Sequence, residues 1–198
     1  KTQCYQKKSL IYFVLTWKLV ITLDKCKWLP EIVECKDYAK WNEYLDEIYK
    51  IFKNDFIDNK LIFEGKNVNF RRAPMDGKYE HTFIHLTHKD EFHKSDDPND
   101  RIPDPRRAER IGWNKAIIDN YKCNENCSDC DKVLYFEEYY KKNIRSYFLF
   151  KDARFLVILE KRKSYNLLIT GYYIEYDNAI KKYIKKYEKY KMQKTPLT

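Results

Sequence analysis

Between residues 28 and 60, Trp41, Leu45, Ile48 and Phe52 recur at three- and four-residue steps, with acids and lysines opposite. That spacing predicts an amphipathic helix. Leu61–Arg72 then alternates, with Ile62 and Phe63 before Gly65 and Val68 and Phe70 after it, which predicts a hairpin. His81–His88 is a short apolar–polar alternation and reads as a strand. The stretch DEFHKSDDPNDRIPDP (90–105) has no period and reads as a loop. It ends in Asp104-Pro105, an acidic N-cap followed by proline at the first helical position, so a helix is expected from there to about Asn120.

A cysteine-bearing loop and the polar segment FEEYYKKNIR come next. Ser146–Phe150, Phe155–Glu160 and Asn166–Tyr176 predict an antiparallel meander with short turns. The chain closes on an amphipathic helix with Ile180, Tyr183, Ile184 and Tyr187 on one face. These elements predict an α+β fold, helices packed on an antiparallel sheet of about four strands. Residues 1–62 are expected to form a strand-and-helix extension to a 63–198 core, within one compact unit. The apolar run 10–23 is broken by Lys18 and falls short of the ~20 residues of a spanning helix. It suits a pair of strands, so no membrane association and a cytoplasmic setting are expected. Because the chain begins at Lys1, its natural start is expected upstream.

Composition adds a sign to this outline. The net charge is +9, which favours polyanions such as RNA, although abundant Lys, Ile, Asn and Tyr also follow from AT-rich coding. More than half of that charge sits in the last helix and tail, where seven lysines, Lys182 and Lys186 among them, face only Asp177 and Glu188. Lysines interleaved with tyrosines suit phosphate steering with base stacking. A packed helix with a solvated lysine face would give the same pattern.

All four histidines, His81, His85, His88 and His93, lie within thirteen residues. No HExxH motif occurs, which argues against a catalytic zinc and leaves one histidine as a general acid or base. Arg101, Arg106, Arg107 and Arg110 gather around the start of the predicted helix, where guanidinium forks could meet phosphate. Cys123, Cys127 and Cys130 form a C-x3-C-x2-C cluster suited to a structural zinc, with His93, His88 or a remote cysteine as fourth ligand. No cofactor is expected for catalysis.

The runs GKYEHTFIHLTH, RIPDPRRAERIGW and FLVILEKRKSYNLLITGYYIEY, in that order, resemble the phage-associated branch of the BECR nucleases, which groups barnase, EndoU, colicin and RelE-like folds. The resemblance covers roughly residues 63–190. It implies a helix-plus-four-strand core and metal-independent endoribonuclease activity of toxin or phage-conflict type. The implied substrate is RNA, tRNA included, and the implied partner is an inhibitor or immunity protein. By position it assigns Glu80 and His85 to the first core element, Arg107 and Arg110 to the scissile phosphate, and Thr170 to the developing charge. Tyr172 or Tyr173 would stack on a base. The alternative is a non-catalytic protein gripping nucleic acid through the same arginines and lysines.

Overall fold

The computed structural model describes residues 26–90, 101–123 and 132–194. A short 3-10 turn, Tyr38–Lys40, is capped by Asp37, whose carboxylate accepts from the Ala39 amide at 3.0 Å. It opens helix α1, Trp41–Lys53, which ends in a wide turn at Asn54–Asp58. Strands β1 (Ile62–Phe63) and β2 (Lys66–Asn69) form the expected hairpin, turning through Glu64 and Gly65 at φ 49° and 73°. There follow α2 (His81–Thr87), β3 (His88–Asp90), β4 (Arg101–Pro103), α3 (Pro105–Ala108) and α4 (Trp113–Asp119). Strands β5 (Val133–Tyr140), β6 (Asn143–Phe150), β7 (Phe155–Lys161) and β8 (Asn166–Tyr173) lead to α5, Asp177–Lys194.

The fold is α+β, but its sheet is larger than expected and mixed. Among the described residues six strands run in the order β1-β2-β8-β7-β6-β5, with β2 parallel to β8 and every other pair antiparallel. Strands β3 and β4 pair separately. The meander gains β5, whose acids meet lysines in place: Glu137 binds Lys161 at 2.6 Å, a lysine that also holds Glu64, and Glu138 pairs with Lys186. Such a strand carries no apolar alternation to read.

Two further expectations fail for packing reasons. Residues 81–87 form a helix rather than a strand. Six of its seven residues are buried, so it has no polar face to betray a 3.6-residue period. Its first amides, His81 and Thr82, donate to the carbonyls of Arg72 and Arg71, which satisfies donors that a helix start leaves orphaned. The helix expected to run on from Asp104-Pro105 does start there, with Asp104 accepting from the Arg107 amide at 3.2 Å. It then breaks at 109–112, where i to i+3 bonds tighten the chain. Ile111 and Trp113 would project to nearly opposite sides of a continuous helix, and both are buried. Trp113 is fixed by Nε1 donating to the Pro30 carbonyl at 2.9 Å.

The sheet separates two apolar layers. Phe148, Phe155, Val157 and Leu168 pack with Ile48 and Phe52 of α1, Phe83 of α2 and Trp113 of α4. Phe136, Tyr147, Leu149, Leu156 and Ile158 pack with Ile180 of α5. At Gly171 the strand comes so close to α4 that a Cβ would overlap the Asn114 side-chain oxygen. Asn114 is buried and held by its amide donating to the Ile111 carbonyl at 2.8 Å. Gly171→Ala should therefore lower stability by about 2–4 kcal/mol in urea unfolding. In an Asn114→Ala background the same change should cost clearly less, and an unchanged penalty would show that Asn114 is not the obstacle.

Candidate functional site

Strand β2 pairs with β8 only through Val68–Asn166 and Asn69–Leu167. The remaining edge of β8 is closed by α2 and α3. This edge gathers most of the residues singled out in the sequence. The backbone carbonyls of His85 and His88, left open where α2 ends, accept from Arg107 Nη1 at 3.1 and 3.2 Å. Arg107 Nε pairs with Asp104 at 3.3 Å, and the guanidinium carbon lies 5.3 Å above the Tyr172 ring. A phosphate at this point would have to meet Nη2. Tyr172 in turn shares a 2.8 Å hydroxyl–hydroxyl bond with Tyr183 of α5.

His85 is the centre of the cluster. Its Nδ1 is in contact with Arg101 Nη1, and Arg101 Nη2 pairs with Asp90 at 3.1 Å. A guanidinium can only donate, so Nδ1 accepts and the ring proton resides on Nε2. Burial, reinforced by the positive charges of Arg101 and Arg107, holds the imidazolium pKa down to about 3. The ring is therefore neutral near pH 7. An anion placed between the two guanidiniums would reverse that charge effect and raise its basicity. The His81 and His85 rings lie parallel within 11°, centroids 6.2 Å apart, as i and i+4 neighbours on a helix. His88 contacts the Thr87 hydroxyl at 2.8 Å and meets Trp41 edge-on.

Other expected site residues lie elsewhere or are differently engaged. Glu80 precedes α2, accepts from the Tyr49 hydroxyl at 2.9 Å and pairs with Arg72 at 3.7 Å, which binds it to α1 rather than to the arginines of the β8 edge. Thr170 is buried opposite Ile158, on the face of β8 that Tyr172 shares. Tyr173 faces the other way, where Arg106 and Arg110 each lie 5.1 Å from its ring. Arg106 also reaches Glu175 at 3.6 Å, while Arg110 pairs with Glu109 and donates to the Arg106 carbonyl at 3.0 Å. Arg110 Nη1 is thus committed to neighbouring residues of its own turn. Lys182 is exposed, whereas Lys186 is bound to Glu138.

Cys123 follows α4 with a half-buried free thiol. Cys127, Cys130 and His93 lie outside the described residues, as does the apolar run 10–23. Among the described residues no three His, Cys, Asp or Glu side chains are grouped to hold a metal. None of the described helices is long and apolar enough to cross a membrane.

Sequence reasoning treated Arg101 as a phosphate ligand and did not pair it with His85. The pairing depends on β3–β4, whose register sets Asp90 opposite Arg101. Opposite charges bracketing a polar loop are the signal that could have found it.

The depressed pKa of His85 has a consequence for stability. In the unfolded chain the ring titrates near its ordinary value of about 6.5. Between that pH and about 3 the unfolded state binds a proton that the folded state refuses, so stability falls as pH drops through this window. His88, lowered by burial, acts in the same direction. His85→Gln should make the loss between pH 7 and 5 shallower, by up to about 1.4 kcal/mol per pH unit below 6.5. Urea unfolding at the two pH values checks it, and equal slopes would mean that His85 is not held neutral.

No family model, curated protein or solved structure matches the chain.

Proposed function

We propose that this protein is a metal-independent endoribonuclease with His85, Arg101 and Arg107 at its centre. The observation that carries the reading is a half-buried imidazole whose Nδ1 meets one guanidinium while its own backbone carbonyl holds a second. An entering phosphodiester would draw Arg101 away from Nδ1 and offset both cations, raising the basicity that burial and these charges hold down. His85 then takes the 2′-hydroxyl proton as that oxygen attacks phosphorus. The guanidiniums hold the developing charge. As the bond from phosphorus to the 5′-oxygen breaks, the imidazolium returns its proton to the leaving oxygen, giving a 2′,3′-cyclic phosphate and a 5′-hydroxyl. Tyr172, beneath the Arg107 guanidinium, flanks this chemistry on β8. RNA, tRNA among its forms, is the substrate class, and a toxin-like role in the cytoplasm restrained by an inhibitor protein accords with it.

The low basicity of His85 and the engagement of both arginines favour a second reading, a binding protein that grips phosphates without cutting them. Incubation of purified protein with tRNA and with single-stranded DNA separates the two. Cleavage of RNA only, unaffected by chelator and reduced ~10²–10⁴-fold in His85→Ala, is the expected result. Arg101→Ala should be impaired comparably. RNA left intact at micromolar protein would sink the nuclease reading.

The cysteine cluster is a separate part of the proposal. Metal analysis should find zinc at one ion per chain, lost in Cys127→Ser/Cys130→Ser, if Cys123 and its neighbours bind it.

A further inference from the structure

Helix α5 crosses the sheet from the candidate site to the opposite edge. Near its start, Tyr183 bonds Tyr172 on β8. Further along, Lys186 pairs with Glu138, and the Tyr190 ring meets Tyr135 edge-on, both partners on β5. Three strand spacings separate β8 from β5, about 14 Å in all. The helix's tyrosines and isoleucines pack inward against the sheet, so the tyrosines expected to stack on bases are already used. Its outer face shows Lys181, Lys182, Lys185 and Lys189, all exposed, against Glu188. Lys181, Lys185 and Lys189 repeat every four residues, about 6 Å along the axis, a step comparable with the phosphate repeat of an extended single strand.

The path ends at an aromatic tip. The β5–β6 hairpin turns at Lys141 and Lys142, directly after Tyr139, which is 80% exposed, and Tyr140. Arg145 lies 3.5 Å over the Tyr140 ring, which leaves Tyr139 as the uncovered platform. Between this strand and α5 runs a groove of about 370 Å³, with Tyr139, Phe136 and Ile144 on one side and Lys189 and Tyr190 on the other. The acids at its rim are engaged: Glu138 pairs with Lys186, while Glu137 accepts from the Tyr135 hydroxyl and shares Lys161 with Glu64.

We infer that the outer face of α5 and the Tyr139 groove form a second surface that holds single-stranded nucleic acid leading away from the β8 edge. Phosphates follow the lysines, and a base enters the groove to stack on Tyr139. The inference takes its substrate class from the ribonuclease reading but not its chemistry. An anionic membrane fits the charge less well, because the apolar face of α5 is spent on the sheet and has nothing to insert.

Fluorescence anisotropy with a labelled, uncleavable 2′-O-methyl oligouridine tests the surface whether or not the protein cleaves RNA. A dodecamer should bind about ten-fold more weakly to Tyr139→Ala and normally to Tyr139→Phe. Lys181→Glu/Lys185→Glu/Lys189→Glu should also weaken it, with a reduced dependence on salt. A trimer should bind all variants like the wild type. Dodecamer binding unchanged in both Tyr139→Ala and the triple variant overturns the inference. So does lysine-dependent binding to phosphatidylserine vesicles when the oligomer binds none of the proteins. If these binding differences appear while RNA stays uncut, the surface stands and the nuclease reading falls. If RNA is cut but trimer and dodecamer are cut with equal kcat/KM by every variant, the nuclease reading stands and the surface falls.

Discussion

Among the described residues, strand β8 is paired along its outer edge at two positions, and the arrangement of the candidate site follows from that shortfall. A buried sheet edge must have its polar groups met and its apolar side chains covered. Here α2 and α3 do the covering, and Arg107 ties them together by donating to the carbonyls where α2 runs out. One guanidinium thus serves as helix cap, ion-pair partner of Asp104 and lid on Tyr172. His85 is brought against the edge because the helix carrying it is needed there for closure. Site and fold share the same contacts, so loss of Arg107 would report on both together.

Some of this was legible in the sequence. Asp104-Pro105 marks a helix start because the cap chemistry is local. The last helix declares itself by period, having one face on a core, and the three apolar strands by nearly continuous apolar runs, being buried on both faces. The helix at 81–87 does not, because a segment buried nearly all round has no alternation to reveal its type. Strand β5 is hidden for the opposite reason: its acids are matched by lysines supplied from β7 and α5. The arginines were recognised as a group, but their division of labour was not. Arg101 meets His85, Arg107 caps α2 and Arg110 lies over Trp113, assignments that depend on where three separate elements come to rest.

The bond between Tyr172 and Tyr183 leaves an imbalance of protons. Two hydroxyls joined by one hydrogen bond use one hydrogen between them, and the second must point elsewhere. Burial and the neighbouring phenol push the Tyr172 pKa upward, so that ring keeps its hydrogen at ordinary pH. Beside the permanently cationic Arg107, then, the β8 edge keeps a neutral donor that acidification cannot charge and mild alkali cannot discharge. An oxygen ligand arriving there would be met by a hydrogen-bond donor independent of the state of His85.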